Sequence, residues 1–360
     1  MQISAVVPVA VAEPSGRRYI VLKIATHEGI LGFGEVPAGP DPQTVVDGLK
    51  SELSSLVGLN PSRLLQIDAR LANAGASYVA RGAANIALMD ILGKTSKAPL
   101  FEALGGPTRN KARAMAVVQG ESVDELRDAV LAAKGAQHRA FSIPLAMPSG
   151  GERGRSFFLN IRRMLDALRD AAGEECDFVL DCAGRPTPGE ALSIADRVED
   201  FHLLWMDEPC GELSATSRAS ISRGSVTPVG FGRTVTRNAA FQDLLREDGV
   251  DVLRPSIAVN GVSTVRKAAA LAESYYVAMC PFNRGGPIST AAGIHVAASL
   301  PNSFIQEAPF STDEADRRMR AEIAGGWREE PNDGWFELLN GHGLGVDIDE
   351  NAVSAYAVAS

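Results

Sequence analysis

Three apolar runs of this chain end in carboxylates. DFVLD closes on Asp181, LLWM is followed by Asp207-Glu208, and SFIQ is followed by Glu307. Carboxylates brought to one place by neighbouring strands repel one another unless a cation lies between them. Hard oxygen donors contributed by two or three strands suit Mg²⁺. Each acid could equally cap the helix that follows it or meet a basic neighbour, because ion pairs also gather carboxylates. A second stretch, MCPFNRGGPIST at 279–290, runs from a strand-like segment through a glycine-rich turn into a helix-like one. Its centre is Phe282, a ring that neither takes nor gives a proton.

The elements that must position these residues follow from patterning. From residue 112 onward, short apolar runs alternate with helical patterns. The runs are ARAMAVV (112–118), RAFSI (139–143), DFVLD (177–181), LLWM (203–206), TPVGF (227–231), DVLR (251–254), YYVAM (275–279) and SFIQ (303–306). Ser122 with Glu125, and Thr187 with Glu190, have capping-box spacing, the second with Pro188 at the favoured first helical position. In FFLNIRRMLDALRDAAG, Ile161, Leu165, Leu168 and Ala172 recur with helical period, and Gly173 is a natural stop. Eight strand–helix units in succession predict an α/β fold, a (β/α)8-type barrel over 112–326, with its active site at the C-terminal ends of the strands. Residues 1–111 predict an α+β capping domain: two strands in IVLKIATHEGILGFGE, turning at His27-Glu28-Gly29, then helices around 42–57 and 79–97. The tail 327–360 has strand and turn character and is expected to return to this first domain.

Composition narrows the partners. The 360 residues carry 45% hydrophobic and 22% charged side chains, enough for a sizeable core. A formal net charge of −9 argues against nucleic acid or an anionic membrane as partner, while leaving room for a small anionic ligand. The four cysteines, Cys176, Cys182, Cys210 and Cys280, have no metal or disulfide spacing and fit a reducing compartment. No apolar run approaches a membrane span, and the first residues lack a signal-like pattern, so a cytoplasmic location is expected. None of the five histidines falls at a strand end, so they are assigned to core or surface.

The order and spacing of several stretches resemble the enolase superfamily, in its mandelate racemase/muconate lactonizing enzyme group and closest to acid-sugar dehydratases. The stretches are THEGILGFGE (26–35), AANIALMDILGK (83–94) with LGG (104–106), DCAGRPTPGEA (181–191), DEP (207–209), RPSIAVNGVSTVRKAAALAE (254–273), PFNRGGPIST (281–290) and NSFIQE (302–307). They cover nearly the whole chain. The resemblance implies an enolase-like modified TIM barrel with a cap, and homo-oligomers such as dimers or octamers. It implies Mg²⁺ held by carboxylates at the ends of barrel strands three, four and five, and proton abstraction next to a substrate carboxylate. The base would be a lysine on strand two, or a histidine on strand seven paired with an aspartate on strand six.

Carried over position by position, the resemblance gives Asp181 and Asp207 as metal ligands, the latter one methylene shorter than the usual glutamate. Arg233 in PVGFGRT falls at the third ligand position. Ser142 and Pro144 fall where strand two would carry lysine, Ser256 at the strand-six aspartate, and Phe282 at the strand-seven histidine. Glu307 matches an auxiliary site carboxylate. A degenerate site follows, with Mg²⁺ doubtful as cofactor. Two aspartates with one guanidinium carry the same formal charge as three carboxylates with a divalent ion, so Arg233 could fork between Asp181 and Asp207 as a built-in cation. Two readings stay open. One is a pseudoenzyme that binds a small carboxylate or sugar acid. The other is an active dehydratase (a lyase) or racemase (an isomerase) with relocated groups, Glu307 or Glu208 as acid and base. Asn283 and Arg284 are the candidate ligand contacts, and the 12–18 loop, AEPSGRR, would close over the site.

Overall fold

A computed structural model describes residues 1–148, 153–211, 215–236 and 238–358. Three antiparallel strands come first: β1 (Ile3–Ala12), β2 (Arg18–Thr26) and β3 (Leu31–Pro37). Sequence patterning gives β2 and β3 but not β1, whose ISAVVPVAVA run has no clean alternation. Helix Pro42–Leu53 and helix Tyr78–Ser96 lie where expected, with a further helix, Leu64–Asn73, between them. The sheet lies close on the third of these. A Cβ at Gly34 would meet the Ala83 carbonyl oxygen at 2.1 Å, so only glycine permits the approach. Ile20, Leu22, Leu53 and Ala87 belong to the core formed between them.

The barrel strands are β4 (Lys111–Val117), β5 (Ala140–Pro144), β6 (Asp177–Asp181), β7 (Trp205–Asp207), β8 (Val229–Phe231), β9 (Val252–Leu253), β10 (Ala278–Met279) and β11 (Gln306–Pro309). Neighbours pair in parallel in sequence order, and β11 lies beside β4. A parallel bridge between Met279 and Ser303 joins β10 to the segment entering β11 and closes the ring. Among the described residues, seven α-helices connect the eight strands and Glu314–Ile323 follows the last, the (β/α)8 arrangement. The SFIQ run supplies only its last residue to β11; Ser303 makes the closing bridge instead. The capping box forms at Thr187 and Glu190; at Ser122 only half of it does, because Ser122 accepts from the Glu125 amide while the Glu125 carboxylate accepts from the Glu121 amide. Among the described residues, no helix is long and apolar enough to cross a membrane.

Strand period two then dictates the mouth. Ala140, Val179, Trp205, Val252, Cys280 and Ile305 share a buried apolar cluster with Met115, as a plug inside the barrel. Two residues further along each chain, on the same inward face, stand Ser142, Asp181, Asp207, Arg254, Phe282 and Glu307. The chemistry-bearing residues therefore form the layer directly above the plug. Gly230 makes room for it, because a Cβ there would lie 2.6 Å from Trp205 Cδ1 and 2.8 Å from Asp207 Oδ1.

The cap grips the loop that carries this layer's aromatic ring. Glu35, at the end of TxxGIxGxGE-type sequence, accepts from the Gly286 and Ile288 amides at the start of helix Pro287–Ser299. Arg17 Nη2 donates to the Gly285 carbonyl at 2.6 Å, and Arg320 pairs with Glu13 at 2.8 Å. The tail divides. Strand β12 (Trp335–Glu337) pairs antiparallel with β4 of the barrel, while further along Gly343 bridges Pro99, the Leu344 amide donates to Asp90, and Ala357 bridges Val11 of β1.

Burial pushes the Glu35 carboxyl up to about 7, outweighing its hydrogen bonds and the Arg320 charge. A folded-state value above the ordinary 4.5 means this contribution to stability is full below 4.5 and is lost as pH rises through about 7. Glu35→Gln should therefore flatten the Tm–pH curve across that window. An unchanged slope in thermal melts would refute this.

Candidate functional site

The layer above the plug is an ion cluster of three carboxylates and three guanidiniums, with a phenyl ring set among the cations. Asp207, fully buried at the end of β7, takes a forked pair of bonds from Arg254. Nε reaches Oδ1 at 3.0 Å, and Nη2 reaches Oδ2 at 3.1 Å. Arg233 Nη2 also donates to Asp207 Oδ2. The same Nη2 lies 2.8 Å from Asp181 Oδ1, so one guanidinium nitrogen sits between the two aspartates. Arg284 Nη2 donates to Asp181 Oδ2 at 2.7 Å, and its Nε lies 3.6 Å from Glu307 Oε1. Arg254 ties the far side, with Nη2 on Glu307 Oε2 at 2.6 Å and Nη1 on the Cys280 carbonyl at 2.8 Å.

The electrostatics agree with this geometry. Burial alone would raise the Asp207 carboxyl, but Arg254 and Arg233 beside it hold it down at about 2. Burial would likewise depress both arginines, yet Asp207 together with Asp181 or Glu307 drives Arg233 and Arg254 above the ordinary range. In Arg284 burial wins, and its value is lowered despite Glu307 and Asp181. Counted formally, three carboxylates against three guanidiniums leave the cluster neutral.

Phe282 has a physical role in it. The Arg233, Arg284 and Arg254 guanidinium carbons lie 4.6, 5.5 and 5.8 Å from its ring centroid. Within about 6 Å the ring quadrupole attracts cations, so the phenyl group helps three like charges share one space. Ser256 is its backbone neighbour through a parallel bridge. The Ser256 hydroxyl caps helix Ile257–Ser274, accepting from the Val259 amide at 3.4 Å.

Several sequence candidates sit elsewhere in this arrangement. Glu208 Oε1 is turned onto the Gly232 and Arg233 amides at 2.8 and 2.9 Å, so it shapes the turn that carries Arg233. Asn283 ties its loop to β11, its backbone amide donating to Glu307 Oε2 at 3.2 Å. Its Nδ2 donates to Thr290 Oγ1 and the Glu307 carbonyl, and its Oδ1 accepts from Gly285. Asp181, Asp207, Arg233, Arg284 and Glu307 do converge. The participant missed by sequence reasoning is Arg254, the fully buried tie. Its only signal was a charged residue ending the apolar run DVLR. His138 and His295 are buried among aromatic rings, away from the mouth.

Comparison with known proteins places these observations. Residues 3–105 match the family described as mandelate racemase/muconate lactonizing enzyme, N-terminal domain, and residues 124–352 match the enolase C-terminal domain-like family. The chain is 30% identical to the D-galactonate dehydratase of Ralstonia pickettii, over 93% of this chain and 90% of that one. It is 27% identical to the D-xylonate dehydratase of Haloferax volcanii, over 94% and 85%. A mandelate racemase/muconate lactonizing enzyme from Jannaschia sp. CCS1 superposes with a TM-score of 0.89 at 22% identity, covering 100% of this chain and 98% of that one.

The geometry makes Arg254 the group whose loss costs most. Arg254→Met keeps the stem but removes the forked pair of bonds to Asp207, leaving it only Arg233, and the guanidinium bond to Glu307 Oε2, and should destabilise the fold by about 3–5 kcal/mol. Arg284→Met, at the partly exposed rim, should cost about 1 kcal/mol. Chemical denaturation compares the two, and equal losses would contradict the ranking.

Proposed function

The chain belongs to the mandelate racemase/muconate lactonizing enzyme family, and from that premise we propose that its barrel mouth has exchanged metal-assisted proton abstraction for binding of a small carboxylate. The observation that carries this reading is the single Arg233 nitrogen seated between Asp181 and Asp207.

Magnesium chemistry needs free carboxylate oxygens, and the donor set here does not fit it. Both oxygens of Asp207 accept from guanidinium groups, and so do both of Asp181, whose Oδ1 also accepts the Ala183 amide at 3.0 Å. A divalent ion would have to evict at least two arginines from a cluster that is already neutral. Among the described residues, no group of three His, Cys, Asp or Glu is placed to hold a metal ion. The positions that the family resemblance gives to the base hold Ser142, Pro144, Ser256 and Phe282, none of which is a base at neutral pH. Partly exposed Arg284 is the cation through which a ligand carboxylate would be held, by exchange with Asp181.

A second reading keeps dehydratase or racemase activity with Glu307 as relocated acid or base. It is favoured by the acid-sugar dehydratases among the relatives and by Glu307 Oε1, a buried oxygen without a hydrogen-bond partner among the described residues. Against it, Glu307 Oε2 already accepts from Arg254 Nη2 and the Asn283 amide, and Arg284 Nε stands 3.6 Å from Oε1.

Calorimetric titration with Mg²⁺ separates the readings. The wild type should give no binding heat, and Arg233→Glu should bind. Clear wild-type binding, or turnover of D-galactonate or D-xylonate, would overturn the proposal.

A further inference from the structure

The segment expected to close over the site, residues 12–18, is the turn between β1 and β2, and it is already fastened to the barrel. Within itself it is tight. The Glu13 amide donates to the Arg17 carbonyl at 2.7 Å, and the Gly16 amide to the Glu13 carbonyl at 2.8 Å. Its outward bonds reach two separate barrel elements. On helix Glu314–Ile323, Asp316 Oδ1 accepts the Ser15 amide at 3.0 Å, and Arg320 pairs with Glu13 at 2.8 Å. On the loop after β10, the carbonyls of Arg284 and Gly285 both accept from Arg17 Nη2.

These contacts are of the kind that is hard to part. Lifting the turn would separate Glu13 from Arg320, which are 3% and 5% exposed, and take the Ser15 amide from buried Asp316. Breaking a buried ion pair is strongly unfavourable. A lid, by contrast, is drawn from the low-stability end of a structure and has few buried contacts to lose. The Gly285 carbonyl is the meeting point, taking Arg17 from the cap at 2.6 Å and Arg320 from the helix at 3.3 Å. The next residue leaves no slack: a Cβ at Gly286 would lie 2.6 Å from Tyr19 Cε2 and 2.7 Å from Glu35 Oε2, so the loop backbone packs directly on cap side chains.

We propose that this turn is a permanent strut and not a lid, and that Arg17 is the positioning residue through which it fixes the backbone of Arg284. On the barrel side the same backbone is held by Asn283, whose Oδ1 accepts the Gly285 amide at 3.0 Å and whose own amide donates to Glu307. Arg284 is thus clamped between a cap contact and a barrel contact, with its side chain left to meet Asp181. This goes beyond the small-carboxylate reading and does not depend on it, because it concerns how the cap is seated and not what the mouth binds.

Hydrogen exchange on the full chain, resolved to single amides by fragmentation mass spectrometry, tests the strut. In the wild type the Glu13, Ser15 and Gly16 amides should exchange at least about a hundredfold more slowly than in a free peptide. Faster exchange there would mark an opening lid and overturn the proposal, whatever the variants do. Arg17→Met should speed exchange at Gly286 and Ile288 at least about tenfold and make Arg284 reactive toward phenylglyoxal, while the β5 amides keep their rates. Arg17→Lys, which keeps a cation able to donate to the two carbonyls, should restore the wild-type pattern of both. Unchanged Arg284 reactivity in Arg17→Met, or failure of Arg17→Lys to rescue it, would overturn the positioning role. The wild-type exchange remains decisive even if Arg17→Met folds poorly.

Discussion

The mouth of this barrel is governed by one constraint: carboxylates gathered in a low-dielectric space must be matched by cations held as firmly as they are. Removing an ion from water costs roughly several kcal/mol even after relaxation, and mutual attraction offsets that only when the hydrogen-bond geometry is nearly complete. Asp207 meets the condition with three guanidinium donors, and Arg254 meets it with two carboxylates and a carbonyl, both at zero exposure. Truncating Arg254 leaves Asp207 with Arg233 alone and Glu307 with only Arg284 as a cation, 3.6 Å away. Substitution here is therefore constrained to come in sets, which is how the differences from the family pattern at positions 233 and 282 are related. An arginine placed beside two aspartates brings cationic crowding with it, and a phenyl ring facing three guanidiniums relieves that crowding where an ionisable imidazole would add to it.

How this layer is positioned follows from backbone periodicity. Each ionic residue stands two places after a residue of the apolar plug, so the pleat that buries Val179, Trp205 and Val252 also aims Asp181, Asp207 and Arg254 at the axis. The loop bearing Phe282 and Arg284 has a second support. Glu35 of the cap binds the amides that begin the next helix, and a Cβ at Gly285 would lie 2.3 Å from Glu35 Oε1. Cap and barrel are thus joined at the segment that carries Arg284, the most exposed charge of the cluster. This makes the geometry of the mouth depend on contacts distant in sequence.

That dependence sets what could be read from the chain alone. The eight barrel strands were visible because each is a short apolar run punctuated by turn residues. Helix ends were visible at Ser122 and Thr187, where capping is a local interaction. The convergence of Asp181, Asp207, Arg233 and Glu307 followed from strand ends plus family resemblance. Arg254 was hidden because an arginine after two apolar residues looks like the solvated end of a strand. Only the closed ring shows it facing inward. Glu208 was misjudged for the converse reason: sequence places it beside Asp207, but a left-handed backbone there, φ 43°, turns its carboxylate onto the next turn. Strand β1 escaped because its inward and outward residues are nearly all apolar, so no alternation marks it.

A guanidinium and a divalent ion can neutralise the same pair of aspartates while leaving very different chemistry. A metal presents open coordination positions at which a substrate oxygen gains charge stabilisation as a reaction proceeds. Arg233 presents a planar fork whose Nη2 is already taken by Asp181 and Asp207, and whose Nε is buried. On the proposed reading the exchange therefore preserves the fold's electrostatics and removes the electrophile.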